Sequence, residues 1–370
     1  MTTRSTELLR LAHARPGVTR ADAARLLGLG TGAATEIVGR LAQASLIAEE
    51  PAVPSGARGR PTTVLVPHPA GPLVLAAAIT HETWRVDVVE LGGTGLRTRT
   101  GQHAGSSWVT VTAAVTGAIR EMRAVYGGRL RALGVSVPGT VSPGLRLDAS
   151  NLGWHNVDLT ALRPGQDVFV AGNDATLAAS AESHRGAAVA ATVALHLRIE
   201  GGLGGGVVDH GRTLLGAGGT GGEFGHMPFG DPSVPCPCGA HGCWGTAVDG
   251  TALARLLDQG DPRDPVSYAR RVIGSSARRE RAAVETVAAA LGRGIAGLVN
   301  ALDADLVTLG GVGVDLLTAT PEPLETAYRK GLMSVRRAAP PPIVPAALGD
   351  DGPIAGAGEE AWSRLLPRLT

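Results

Sequence analysis

Three cysteines and a histidine carry the clearest chemistry in this chain. Cys236, Cys238 and Cys243 are all the cysteines among 370 residues, and they fall within PCPCGAHGCWG, Pro235 to Gly245. His226 stands ten residues before Cys236. Three thiolates and one imidazole make a tetrahedral Cys3His zinc site, structural because no coordination position is left open. Prolines and glycines around the cysteines permit the tight turns that chelation needs, and His241 is an alternative fourth ligand. Three unrelated buried thiols would not explain why none lies elsewhere. Their odd number also cannot close a disulfide framework.

Composition bounds what surrounds this cluster. A chain of this length exceeds one ordinary core, so two or three folding units are expected. Hydrophobic residues at 44% against 18% charged mark a globular protein, and 3% aromatics leave the core to Ala, Val and Leu. A formal net charge of +1 gives no global attraction to nucleic acid or membrane, so DNA binding would need a local basic patch. MTTRSTELLRLAHARPG lacks the apolar segment of a secretory signal, and the longest apolar run, around Pro72 to Ile79, is too short to span a bilayer. A cytoplasmic protein with no membrane partner is expected.

The elements that position these residues begin with three short helices. Leu8, Leu9, Leu11 and Ala12 recur at helical spacing before a Pro16-Gly17 break. Thr19, with Asp22 as its capping-box partner, opens a second helix that Gly28 and Gly30 end. Thr31 opens a third, with Ile37, Val38 and Leu41 facing inward. LIAEEPAVPSGARGRPTTVLVP then reads as two strands around a Pro/Gly loop, giving a winged helix-turn-helix over residues 1–68. An ordinary helical bundle is the alternative, but Arg20, Arg25, Arg40, Arg58 and Arg60 concentrate positive charge on a neutral chain. Thr31 and Thr35 can reach base edges or phosphates, Arg20 and Arg40 the backbone, and Arg58 or Arg60 a narrow minor groove.

From Gly71 onward, strands such as LVLAAAIT, WRVDVVEL, TVALHLRI and DLVTLGG alternate with Ala-rich helices, an α/β pattern. The hairpin LVLAAAITHETWRVDVVEL is echoed by TVALHLRIEGGLGGGVVDHGRTL. Two similar α/β lobes facing each other across a cleft are expected over 69–370.

Four stretches in order resemble the motifs of the ROK family of repressors, open reading frames and sugar kinases. They are GVSVPGTVSPG with NLGWHNVDL, GNDATLAASAE, GAGGTGGEFGHMPFGDPSVPCPCGAHGCWG and LGRGIAGLVNALDADLVTLGG. A helix-turn-helix followed by GRP resembles the start of the family's transcription-factor branch. The resemblance implies an actin-like, ribonuclease H-like or hexokinase-like, two-lobed fold, a zinc site, and a sugar-class ligand in the cleft. It also implies site roles. Gly139 resembles the glycine whose backbone approaches the sugar, and Ser150 the hydroxyl beside it. Asn173 and Asp174 resemble the pair that binds sugar hydroxyls, Asp174 matching the base of the kinases. Glu223 and His226 resemble further hydroxyl partners, the histidine also ligating zinc. Asn, Asp and Glu suit the dense donor–acceptor pairs of sugars.

Three departures bear on function. Gly245 stands where the family usually has a sugar-binding glutamate. AAAITHETW has neither the aspartate nor the glycines of the kinases' first phosphate loop. EGGLGGG, replacing GTGIGGG, loses a threonine and introduces Glu200, a carboxylate expected to repel phosphate from the backbone amides. A ligand-responsive DNA-binding regulator, a repressor by the family's name, is therefore favoured over a sugar kinase with an N-terminal extension or an oligomeric scaffold. Its expected partners are an inverted-repeat DNA operator, a sugar or sugar-derived effector, and further copies of itself in a homodimer or dimer-based tetramer.

Overall fold

The N-terminal caps act where their spacing places them. Thr3 accepts from Thr6 N at the head of α1 (Arg4–Ala14). Thr19 Oγ1 accepts from Asp22 N at 3.0 Å and donates to Asp22 Oδ2 at 2.8 Å, opening α2 (Arg20–Leu26). Gly28, at φ 62°, turns the chain out of α2. Thr31 opens α3 (Thr31–Gln43) after the N-cap Gly30, and the buried face is Ala34, Ile37, Val38 and Leu41. Strands β1 (Ile47–Pro51) and β2 (Thr63–Pro67) pair antiparallel and complete a winged helix-turn-helix. The computed structural model describes residues 3–52, 63–103, 105–149, 152–163, 165 and 168–370. Arg58, Arg60 and Ser150 lie outside the described residues.

Beyond the wing, the fold is built twice. Strand β3 (Leu73–Ile79) is buried throughout, as its unbroken apolar run requires of a central strand. It pairs antiparallel with β4 (Thr83–Glu90), which pairs with β5 (Gly95–Gln102). Helix α4 (Trp108–Tyr126) leads to β6 (Leu130–Val137), parallel to β3. A small sheet of β7 (Thr140–Val141), β8 (Arg146–Ala149) and β9 (Trp154–Asp158) follows, then β10 (Val168–Asn173) at the edge of the order β10-β6-β3-β4-β5. After α5 (Asp174–Arg185), β11 (Val193–Ile199) pairs antiparallel with β12 (Leu203–Asp209), which pairs with β13 (Arg212–Thr213). Helices α6 (Gly250–Leu256), α7 (Pro265–Ile273) and α8 (Arg278–Leu302) lead to β14 (Leu306–Gly311), parallel to β11. Helices α9 (Val312–Ala319), α10 (Pro321–Gly331) and α11 (Ser334–Arg337) precede β15 (Ile343–Pro345), and α12 (Gly352–Leu365) follows. The second sheet runs β13-β12-β11-β14-β15. Each sheet thus has its first strand at the centre, and the echo between hairpins is a repeat of topology.

The chain forms two compact units. One holds Met1–Val137, Asp158–Ala171 and Ala357–Thr370; the other holds Pro138–Val157 and Gly172–Gly356. In the first, Leu8, Leu9, Ile37, Val38 and Leu41 share a core with Val74, Ala132, Trp362 and Leu365, so the helix-turn-helix is packed onto the first sheet's layer. In the second, α8 lies in a core with Leu195, Leu197, Trp244, Leu309 and Tyr328. Helix α8 is long and apolar enough to cross a membrane by length and composition alone. Its most apolar window is 67% buried, as befits a core helix.

With few aromatic rings, the layers meet at backbone distance. A β-carbon at Gly134 of β6 would stand 1.9 Å from the carbonyl oxygen of Ala357 in α12. Gly134→Ala should therefore lower the unfolding free energy by about 1–3 kcal/mol or more, through overpacking. Gly117→Ala, on α4 with open space around it, should instead raise it by about 0.5–1 kcal/mol through helix propensity. Urea unfolding of both variants checks the contrast.

Candidate metal centre and ligand site

The cysteine loop closes through its backbone. Cys236 N donates to Ala240 O at 2.8 Å, Gly242 N donates to Val234 O at 2.9 Å, and Pro235 bridges His241. Trp244, fully buried, anchors the loop to α8 by donating from Nε1 to Ala290 O at 3.2 Å. Gly294 of α8 leaves room for its indole, since a β-carbon there would lie 2.1 Å from the ring.

This folding gathers His226, Cys236, Cys238 and Cys243, with one ligand atom of each within 4.8 Å of all the others. His241 is not in the group, so the choice between the two histidines falls to His226. Cys238 and Cys243 Sγ are 3.7 Å apart, and Cys236 Sγ is 3.8 Å from His226 Nδ1. Tetrahedral zinc–sulfur bonds of about 2.3 Å space their sulfurs by roughly 3.8 Å, so the donor set fits the ion. Burial and the adjoining thiols push Cys243 up to about 12.

The same histidine faces a second site. Its Nε2 lies 3.7 Å from Glu223 Oε2, and burial raises the Glu223 carboxyl above its ordinary range while His226 opposes the shift. Asn173 and Asp174 meet this region at the head of α5. Asn173 Oδ1 accepts from Ala175 N at 3.0 Å and Thr176 N at 3.1 Å, and its Nδ2 donates to Gly139 O at 3.0 Å. The amide is thus largely spent on positioning. It caps α5 and holds the Gly139 turn, where φ is 110° and a β-carbon would strike Asp148 O at 2.3 Å. Asp174 is half-buried, and burial pushes its carboxyl up to about 6. The Glu200 charge adds to that shift, Arg198 and the Ala175 amide oppose it, and Glu223 adds a little more.

Sequence reasoning missed Arg198 and His196, two polar groups inside the apolar strand β11. Arg198 is 7% exposed and pairs with Glu200 Oε1, with Asp350 Oδ1 at 3.3 Å and with Gly349 O at 3.2 Å. Glu200, expected to repel phosphate, therefore has a guanidinium two residues away as its partner, which offsets its charge. His196 is buried, bonds Thr308 Oγ1 through Nδ1 at 2.9 Å, and is pushed down to about 3 by burial and by Arg198. A histidine and an arginine within an otherwise apolar strand were the available signal. Two of the glycines after Glu200 serve packing: β-carbons at Gly204 and Gly206 would meet Ala175 and Ala179 of α5 at 2.9 and 2.7 Å. At Gly245 a side chain would start 3.3 Å from Gly225 O.

On the helix-turn-helix, Thr31, Thr35 and Arg40 are exposed on α3. The Thr35 hydroxyl donates to Thr31 O at 2.9 Å, leaving its lone pairs outward. Arg20 pairs with Glu49 at 3.3 Å on the surface, an exposed contact of small net worth.

Residues 96–361 match the model of the ROK family. The chain belongs to the ROK family. Its relatives there include a glucokinase of Thermotoga maritima, 32% identical over 201 residues, which are 48% of this chain and 63% of the glucokinase. A xylose repressor of Caldicellulosiruptor bescii is 29% identical over 197 residues, 48% of this chain and 49% of the repressor. The chain thus spans from about half to just under two thirds of the length of these ROK relatives. A solved ROK transcriptional regulator, a homologue of the E. coli MLC protein, superposes with a TM-score of 0.78 at 23% identity, covering 99% of this chain and 96% of its own. The fold is that of a ROK protein with an N-terminal winged helix-turn-helix.

Asp174 generates a test. A carboxyl near 6 in the folded state, against 3.8 unfolded, favours folding below about pH 4, and that contribution is lost as pH rises through 6. Asp174→Asn should raise stability at pH 7.5 by on the order of 2 kcal/mol and converge with wild type at pH 4. Denaturant unfolding across this pH range checks it. An equal gain at both ends would refute the burial of charge.

Proposed function

We propose that this ROK protein is a DNA-binding transcriptional regulator of sugar-related metabolism, answering to a sugar or sugar-derived effector. The observation that carries this is the winged helix-turn-helix joined to a ROK body by a shared core. Residues 1–68 serve as the DNA module and 69–370 as the effector and assembly domain, acting in the cytoplasm as a homodimer or dimer-based tetramer. The operator is an inverted repeat. Repression is the sign that the xylose repressor suggests. Gly139, Ser150, Asn173, Asp174, Glu223 and His226 form the effector site, with Asp174 and Glu223 as the hydroxyl-binding carboxylates and Asn173 setting the turn at Gly139. Gly245 removes one carboxylate from that set.

His226, Cys236, Cys238 and Cys243 hold a structural zinc ion, which neutralises three crowded thiolates and keeps His226 Nε2 turned towards Glu223. Elemental analysis should find about one zinc per chain. Cys238→Ser should remove most of it and lower the unfolding midpoint, because structural zinc supplies about 10 kcal/mol or more of apparent binding free energy in small sites. Zinc-free protein of undiminished stability would exclude the role.

The kinase alternative draws on the glucokinase relatives and on Asp174. Against it stand the first hairpin, which lacks a phosphate loop, and Gly204 and Gly206 of β12, which are packed beneath α5. Coupled assays with ATP, magnesium and common hexoses should stay at background, against about 1–100 per second for kinases. Selection of duplexes from a random pool should yield an inverted repeat. Arg58→Ala with Arg60→Ala should weaken its binding by about 1–3 kcal/mol for each arginine that reads the groove, and flatten the salt dependence. Unchanged binding would remove the wing from the DNA surface.

A further inference from the structure

His13 of α1 and Glu359 of α12, 346 residues apart in sequence, form a buried pair. Their Nε2 and Oε2 atoms are 2.9 Å apart, and the residues are 6% and 5% exposed. On the other side of the ring, Gly92 N donates to His13 Nδ1 at 3.0 Å. Nδ1 therefore accepts, which places the ring proton on Nε2, facing the carboxylate. Trp362, nearly one turn along α12, packs on the imidazole with centroids 5.4 Å apart. At the opposite end of α1, the hydroxyls of Thr6 and Thr370 are 2.5 Å apart. Helix α1 is thus registered at both ends against the segment 359–370.

The apolar contacts around it, Leu8 and Leu9 with Leu365 and Leu366, supply adhesion without direction. A buried carboxylate is different. A seat of α1 that took the imidazole away would leave the Glu359 charge inside without that donor, which burial penalises. The same helix touches the ligand site's own helix. A β-carbon at Gly356 would stand 1.9 Å from Leu177 O, and one at Gly352 would stand 3.2 Å from Ala178 Cβ, one turn past Asp174 on α5. Contacts of this kind leave no side chain to absorb a displacement.

We propose that His13 and Glu359 are positioning residues that fix the seat of the helix-turn-helix on α12, and that displacement of α12 against α5 reaches the DNA module through them. The proposal rests on the regulatory role above for its link to DNA, but not for the seat itself. Hydrogen exchange of the full-length chain, without DNA or sugar, tests the seat. Glu359→Ala should speed exchange in α1–α3 by about tenfold while β11 and β14 stay protected, and Glu359→Gln, which keeps an acceptor for Nε2–H, should restore it. Unchanged exchange in α1–α3, or an equal rise in β11 and β14, would overturn the proposal. Gly356→Ala should also speed α1–α3, and should add little in the Glu359→Ala background, because both act through one path. Full additivity would remove α12 from the path. On duplexes that wild type selects from a random pool, Glu359→Ala should bind at least about tenfold more weakly than Glu359→Gln. If wild type selects no duplex, the regulatory role falls, and the exchange result still decides the seat.

Discussion

Backbone pressed against backbone is the constraint on which this molecule depends. Its core has little aromatic bulk, so the layers close at glycines: Gly134 under Ala357, Gly356 against Leu177, Gly292 against Leu324, and Gly206 beneath α5. Each such contact removes the side chain that would otherwise cushion a shift between layers. Close-packed interiors transmit strain instead of dissipating it. Two of the candidate site residues, Asn173 and Asp174, stand at the head of one of these tightly held elements, because α5 is capped by Asn173 and lies directly on Gly204 and Gly206 of β12. A glycine run that elsewhere suggests phosphate binding here sets the distance between a helix and a strand.

Charge is distributed with the opposite economy. Exposed pairs such as Arg20–Glu49 and Arg25–Asp22 are surface contacts of little consequence, whereas two buried charged side chains, Glu182 and Arg198, have defined neighbours. Glu182 is 1% exposed and accepts from the backbone amides of Ala187, Ala347 and Leu348, stapling α5 to the loop before α12. Arg198 is held by Glu200, Asp350 and Gly349. Asp174 is held differently: it is half-buried, accepts from Ala175 N at 2.8 Å, feels the charges of Glu200 and Glu223, and is raised to about 6. A position that sacrifices stability in this way is where binding chemistry is expected, since perturbed carboxyls gather at functional sites.

Much of the architecture is legible in the sequence because it rests on local signals. The helix cap at Thr19, the glycine at 28, and the apolar runs of β3 and β11 act over three to eight residues, so spacing alone reveals them. The repeated hairpins expose the repeated sheet. The metal group is legible because cysteine is otherwise missing from the chain. The choice of His226 over His241 is not, since both lie close to the thiols in sequence and only the turn of the loop brings one imidazole inward.

What the sequence determined by itself was therefore the inventory: a winged helix-turn-helix, two α/β repeats, a cysteine–histidine group that could hold a metal, and a set of polar residues resembling a ROK site. What only the tertiary structure decided was how each group is spent. Asn173 turns its amide to a cap and a neighbouring carbonyl, Glu200 meets a guanidinium, and His13 meets a carboxylate from the far end of the chain. The physical reason is range. Propensity, capping and chelate spacing are settled between near neighbours, while a side chain's partner and its proton depend on burial and charge contributed by segments hundreds of residues away.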